Sequence, residues 1–197
     1  MFRLYCVIIG YFFGCFQTAY FLGRLKNIDI REHGSKNSGA TNAKRVLGKK
    51  AWIITLVCDI LKSIIAYLIC YYIFKDKNNL LAGVYGGFGA ILGHDFPFFL
   101  GFKGGKGIAT SMGLILVFNW KLLVILLFCG IIAIFITRKI SVGSLVGALG
   151  LIFCLPFIFI KYKLEIFFIF VMISIMAFVC HKKNIERLIN HEEPNSF

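Results

Sequence analysis

"AWIITLVCDILKSIIAYLICYYIF", residues 51–74, decides the fold. As a helix, this stretch would be about 36 Å long at 1.5 Å per residue, enough to cross roughly 30 Å of hydrocarbon. Its only charges are Asp59 and Lys62, three residues apart and so on one helical face. A helix of a water-soluble domain would carry a whole polar face. This one belongs in a bilayer, with the two charges read as a structural pair, because a lone ion near the membrane centre costs about 2.5 to 3.5 kcal/mol.

Working outward, similar apolar runs occupy Leu4 to Leu22, Leu122 to Thr137, Ser144 to Ile160 and Ile166 to Cys180 in a chain that is 59% apolar. The chain reads as an all-α integral membrane protein with one domain, residues 1–197. Spans are expected at 4–23, 51–74, 80–93, 107–118, 122–137, 142–160 and 164–180, giving seven transmembrane helices with the termini on opposite sides. The first run lacks a small-residue cleavage site and is followed by further spans, so it is expected to be a retained helix rather than a leader. The third and fourth are short and flank a glycine-rich break, the pattern of partial spans entering a polar dip.

The net charge of +13 is distributed unevenly. With those spans, residues 24–50, the loop near 94–106, Arg138 with Lys139, and the tail from His181 share one face, which carries 15 of the 22 Lys and Arg residues. The opposite face holds Arg3, Lys75, Lys77, Lys121, Lys161 and Lys163. The positive-inside rule makes the richer face cytoplasmic and the amino terminus extracytoplasmic. Basic charge therefore reports topology, and nucleic acid is not an expected partner.

The seven cysteines lie within apolar runs with no C-x-x-C pair, and read as small core residues. His33, His94, His181 and His191 have no metal-ligand spacing, so neither a metal nor a cofactor is expected. Small-residue pairs four apart, Gly10 with Gly14, Gly83 with Gly87, Gly89 with Gly93 and Gly143 with Gly147, predict close helix crossings.

The uncommon chemistry sits in three segments assigned to the cytoplasmic face. In "REHGSKNSGATNAKRVLGKK", residues 31–50, turn formers Gly34, Ser35, Asn37, Ser38 and Gly39 precede a helix that Thr41 or Asn42 would cap. A helix start flanked by Ser35 and Arg45 suits an anion. In "GFKGGKGIAT", residues 101–110, Lys106 stands where a nucleotide P-loop requires glycine. The shared physics is broader. Gly104, Gly105 and Gly107 let backbone N–H groups face a concavity, while Lys103 and Lys106 supply charge and Thr110 a hydroxyl, a combination suited to phosphate. In "HKKNIERLINHEE", residues 181–193, His181 and Asn184 are three apart beside an apolar Ile185–Leu188 stripe. His181 at a membrane exit is open to three readings: general base, phosphate donor or packing residue.

Together these segments make the chain resemble the bacterial acyl-phosphate glycerol-3-phosphate acyltransferase family over nearly its whole length. Gly34, Ser35, Asn37, Gly39, Ala40, Thr41, Asn42 and Arg45 fit its first motif. Gly93, His94, Phe96, Pro97 and Phe102 to Thr110 fit its second, and His181, Asn184, Ile185, Arg187, Leu188 and Glu193 its third. Ser141 and Ser144 match the turn into the sixth span. His191 stands where the family usually has glycine, and Ser38 where it usually has proline.

The resemblance implies seven helices, a cytoplasmic active site in a bacterial inner membrane, and two substrates, glycerol 3-phosphate and acyl phosphate. It implies that Ser35 and Arg45 are needed for activity, that the glycine-rich motif binds glycerol 3-phosphate, that His181 and Asn184 assist catalysis, and that Glu193 is structural. Ser35, Arg45, Lys106, His181 and Asn184 are the expected catalytic residues. Gly34, Asn37, Thr41, Asn42, Lys103, Gly104, Gly105, Gly107, Thr110 and Ser144 are the expected substrate contacts. No Ser-His-Asp triad is evident, in keeping with direct attack on a mixed anhydride. The rival class is a membrane transporter of phosphorylated anions, since short paired spans around a glycine-rich dip also build carrier sites; the lack of an internal repeat counts against it.

Overall fold

Three helical segments among the described residues are long and apolar enough to cross a membrane: Phe2–Arg24, Lys49–Ile73 and Trp120–Thr137. They belong to a computed structural model that describes residues 1–158 and 164–195, with side chains described except at 155–158. Residues 159 and 160 of the sixth expected span, and Lys161 and Lys163, lie outside the described residues. All regular structure among the described residues is helical. It divides into two compact units, Met1–Phe118 and Asn119–Phe197.

The first unit contains α1 (Phe2–Cys15), α2 (Thr18–Arg24), α3 (Ala40–Leu47), α4 (Lys49–Ile73), α5 (Lys75–Asp95) and α6 (Ile108–Phe118). Its tightest crossing is between α1 and α5. A Cβ on Gly10 would lie 1.9 Å from the Gly86 carbonyl oxygen, and one on Gly93 would lie 2.1 Å from that of Tyr11. Gly14 and Gly89 are equally blocked by backbone. The expected small-residue crossing is therefore real here, and it uses both pairs against each other. Gly83 instead seats the Tyr67 ring and Gly87 the Leu114 side chain.

The first span departs from the single helix expected over 4–23. It breaks at Phe16, whose φ of −65° and ψ of 105° are extended. The cause is Gln17, fully buried, whose Nε2 donates to the His94 carbonyl at 3.0 Å. A buried amide must find partners, and the break lets this one reach across to the end of α5. The third span is longer than expected. After a non-helical Asn78 (φ −156°, ψ 92°), whose Oδ1 accepts the Leu81 N–H at 3.1 Å, α5 runs on to Asp95. The fourth, α6, has only 11 residues. In α4 the expected pair forms, with Lys62 Nζ 2.9 Å from Asp59 Oδ1 and both side chains buried.

The second unit contains α7 (Trp120–Thr137), α8 (Ile140–Ile158), α9 (Leu164–Cys180) and α10 (Lys182–Ile189). Asn119 caps α7, its Oδ1 accepting the Leu122 N–H at 3.1 Å. Arg138, at φ 59°, turns the chain into α8. A Cβ on Gly143 would come 2.6 Å from the Gly130 carbonyl oxygen, but Gly147 faces nothing within 4 Å, so only half of that expected pair is used. α9 and α10 meet at a 57° bend.

Candidate active site

Two of the three polar segments lie in the first unit, where a hydrogen bond joins them directly. The segment before α3 is organised by Asn42, which is 1% exposed. Its Nδ2 reaches the carbonyls of Ile30 (3.0 Å), His33 (3.1 Å) and Asn37 (2.9 Å), and its Oδ1 accepts the Ser35 N–H at 2.8 Å. Gly34 adopts φ +61° beside it, where a Cβ would meet Asn42 Oδ1 at 2.3 Å. The expected cap at Thr41 or Asn42 is corrected. Asn37 Oδ1 accepts the Gly39 N–H at 3.0 Å, turning the chain so that extended Gly39 precedes a helix that already includes both residues. Thr41 and Arg45 then stand four apart on the exposed face of α3.

The amide nitrogen of Asn37 makes the bridge. Its Nδ2 donates to the Gly104 carbonyl at 3.0 Å, tying the arginine-bearing segment to the lysine-bearing loop. Arg31 adds a second tie through Nη1 to the Leu100 carbonyl at 3.3 Å. Arg31 is itself held by Asp29, whose Oδ2 lies 2.8 Å from Nη2. The hydrogen bonds from Arg31 hold the Asp29 carboxyl below the usual carboxylate range, outweighing partial burial.

In the loop after the turn Phe98–Leu100, the expectation that the N–H groups of Gly104 and Gly105 face an anion is corrected. Gly104 N–H donates to the Asp95 carbonyl at 3.0 Å and Gly105 N–H to the His94 carbonyl at 2.9 Å. Both satisfy the end of α5, whose last carbonyls lack helical partners. These glycines act by shape instead: a Cβ on Gly104 would overlap the His94 carbonyl oxygen at 2.0 Å. Gly107 has φ +69° and sits against the Asp95 carboxylate. The start of α6 follows directly, and the first N–H groups of a helix have no partner within that helix. Lys106 is half-buried beside that start and Lys103 is exposed. Thr110 is fully buried, and its hydroxyl has no hydrogen-bond partner among the described residues.

The third segment is in the second unit. His181, 3% exposed, has Nδ1 2.7 Å from the Ala177 carbonyl. That oxygen can only accept, so Nδ1 carries the hydrogen and a neutral ring keeps its lone pair on Nε2, the form a base requires. Asn184 Nδ2 donates to Glu193 Oε1 at 2.7 Å, and Arg187 Nε donates to Oε2 at 2.7 Å. Lys139 Nζ donates to the Glu193 carbonyl. Burial pushes the Glu193 carboxyl up, but the bonds from Asn184 and Arg187 help outweigh it and hold the group below its ordinary range. Ser144 Oγ donates to the Ile140 carbonyl one turn back, at 3.1 Å. Among the described residues, no group of three or more His, Cys, Asp or Glu is placed to hold a metal ion.

A family profile described as glycerol-3-phosphate acyltransferase matches residues 4–191. The chain belongs to the glycerol-3-phosphate acyltransferase family. A relative of that name from Bacillus velezensis (strain DSM 23117 / BGSC 10A6 / LMG 26770 / FZB42) is 40% identical over 192 residues, covering 95% of this chain and 94% of the relative. Another from Alkaliphilus metalliredigens (strain QYMF) is 36% identical over 189 residues, with 95% and 93% covered. The fold is similar to a crystal structure described as PlsY (YgiH), an integral membrane glycerol 3-phosphate acyltransferase, in its glycerol 3-phosphate form. The TM-score is 0.89 at 29% identity, over 99% of this chain and 96% of that one. A lysophosphatidic acid form of the same protein gives 0.85 at 29% identity, over 98% and 94%.

Within this acyltransferase chain, sequence reasoning missed Gln17. Its only signal was one amide inside an apolar run, and its use became visible with its contacts. While its Nε2 donates to the His94 carbonyl, its Oε1 accepts the Ser38 hydroxyl at 2.9 Å, so Ser38 has a specific buried partner.

Proposed function

We propose that this membrane protein transfers a fatty acyl group from acyl phosphate to the 1-hydroxyl of glycerol 3-phosphate, releasing lysophosphatidic acid and phosphate. The observation that carries this reading is the Asn37 to Gly104 bond, which brings the cationic segments of the first two family motifs to one end of the first unit. Both substrates are anionic at the head, and a basic site at the end of apolar helices suits an anion with an acyl tail.

The hydroxyl oxygen attacks the acyl carbonyl carbon, the bond from that carbon to the phosphate oxygen breaks, and inorganic phosphate leaves. Lys106 and the start of α6 are proposed to hold the phosphate of glycerol 3-phosphate, with Lys103, Gly107 and Thr110 around it. Arg45 and Ser35 would stabilise the acyl phosphate and the developing oxyanion, with Thr41 a further substrate contact. Gly34, Asn37, Asn42, Gly104 and Gly105 would serve by setting the two segments in place. His181 and Asn184 keep the assisting roles that the resemblance implies, and Ser144 is kept as a proposed substrate contact. The hydroxyl proton goes to His181 or to the phosphate of glycerol 3-phosphate. Positioning and electrostatics supply the rate.

The same reading places seven spans in a bacterial inner membrane, with the amino terminus outside and the site cytoplasmic, supported by the concentration of Lys and Arg on one face. Residues 1–197 would act as one catalytic domain. The test is an assay of the purified chain with acyl phosphate and acyl-CoA offered separately. Product from acyl phosphate alone supports the reading, and product from acyl-CoA alone overturns the donor. In liposomes, uptake of glycerol 3-phosphate without acylation would identify a carrier.

A further inference from the structure

Inside the first unit, the Lys62 ammonium on α4 is surrounded by three acceptors. They are Asp59 Oδ1 at 2.9 Å, the Phe16 carbonyl at 3.0 Å and the His94 ring Nδ1 at 2.6 Å. Lys62 is 5% exposed, His94 3% and Asp59 1%. An ammonium has three hydrogens and no lone pair, so Nδ1 accepts and the hydrogen of the neutral ring sits on Nε2. That edge faces the glycine-rich loop: a Cβ on Gly105 would come within 1.9 Å of Nε2. The His94 carbonyl also accepts the Gly105 N–H, at 2.9 Å, and Gln17 Nε2, at 3.0 Å. His94 is thus seated between a buried ion pair and the loop that bears Lys103 and Lys106.

Stability alone does not account for these charges. Burying a pair costs several kcal/mol of desolvation per ion, and well-packed apolar residues often do as well or better. Ionisable groups within a membrane-spanning helix mark function more often than scaffolding. Here the pair ends on a ring at the last turn of α5 that also touches the loop.

We propose that Asp59, Lys62 and His94 form a positioning relay for the glycine-rich loop: Lys62 fixes the His94 ring, and His94 fixes Gly105 for the phosphate of glycerol 3-phosphate. This inference rests on the function proposed above and assigns that function three residues outside the substrate contacts. A misplaced loop weakens binding of one substrate, whereas a weakened scaffold lowers stability and affects both substrates alike.

The experiment uses the full chain purified in detergent. The Asp59→Leu/Lys62→Met double variant removes both charges and strands no ion. His94→Asn keeps an acceptor near the Nδ1 position but lacks the edge against Gly105. Calorimetry gives the affinity for glycerol 3-phosphate, steady-state kinetics give KM for each substrate, and ¹⁵N NMR reports which ring nitrogen carries the hydrogen. In both variants the affinity for glycerol 3-phosphate should fall on the order of 10-fold, as when residues supporting a binding group are lost, with KM for the acyl donor unchanged. The wild-type ring should show Nε2–H, and Lys62→Met should lose that preference. A folded double variant with wild-type affinity overturns the relay. So does an equal loss for both substrates together with a lower Tm. Calorimetry requires no acyl transfer, so a wild type that binds glycerol 3-phosphate without acylating it refutes the proposed function while the relay is still measured; one that binds none overturns both.

Discussion

Arg45 and His191 show how differently single residues act in this chain. Arg45 is exposed on α3 beside Thr41, where a guanidinium can meet charge that develops during transfer. Arg45→Ala is expected to lower turnover by about 10² to 10³ while leaving Tm unchanged, measured by steady-state kinetics and thermal unfolding. His191 holds φ +59° just beyond the end of α10, with its N–H on the Leu188 carbonyl at 3.2 Å. The chain therefore makes a left-handed turn here, at the strain an L side chain bears in that region. His191→Gly should relieve that strain and stabilise the protein by about 1 kcal/mol, seen as a higher Tm.

At the scale of elements, the α1–α5 crossing depends on backbone meeting backbone at Gly10, Gly14, Gly89 and Gly93. Gly14→Leu would place a side chain where the Ala90 carbonyl already stands, 2.1 Å from the new Cβ. The helices must separate, so a loss of about 3 kcal/mol or more in unfolding is expected. The loop between α2 and α3 has a different dependence, on charge. Asp29 is held below its ordinary value by Arg31, so its contribution is complete above the unfolded value of about 3.9 and disappears as pH falls through the lower folded value. A plot of Tm against pH should be flat in this respect near neutrality and fall below about pH 4. In Asp29→Asn that acidic fall should shrink, and an unchanged profile would refute the assignment.

For the whole molecule, the testable statement is topology. Fifteen of 22 basic residues share one face in the seven-span arrangement. Cysteines introduced at Lys36 and Lys183, in an otherwise cysteine-free background, should react with an impermeant maleimide only after the membrane is opened. One at Lys77 should react in intact cells. Labelling of all three from outside would overturn the arrangement. The hydropathy of α4 and α7 and the charge of the loops are composition effects, so they were legible in the chain itself. Gln17 was not legible as a hub, because its partners stand 21 and 77 residues away, nor His94 as the seat of Gly105, because its ring is held by Lys62, 32 residues away.

By itself the sequence determined a helical membrane chain, its three polar segments and its family, because apolar run length, charge and motif spacing are local quantities. Tertiary structure alone decided that the first span breaks at Phe16, that Gly104 and Gly105 spend their N–H groups on the end of α5, and that Asn37 joins two motifs. The physical reason is that a buried polar group must be satisfied. Which distant carbonyl satisfies it is set only when the helices have packed.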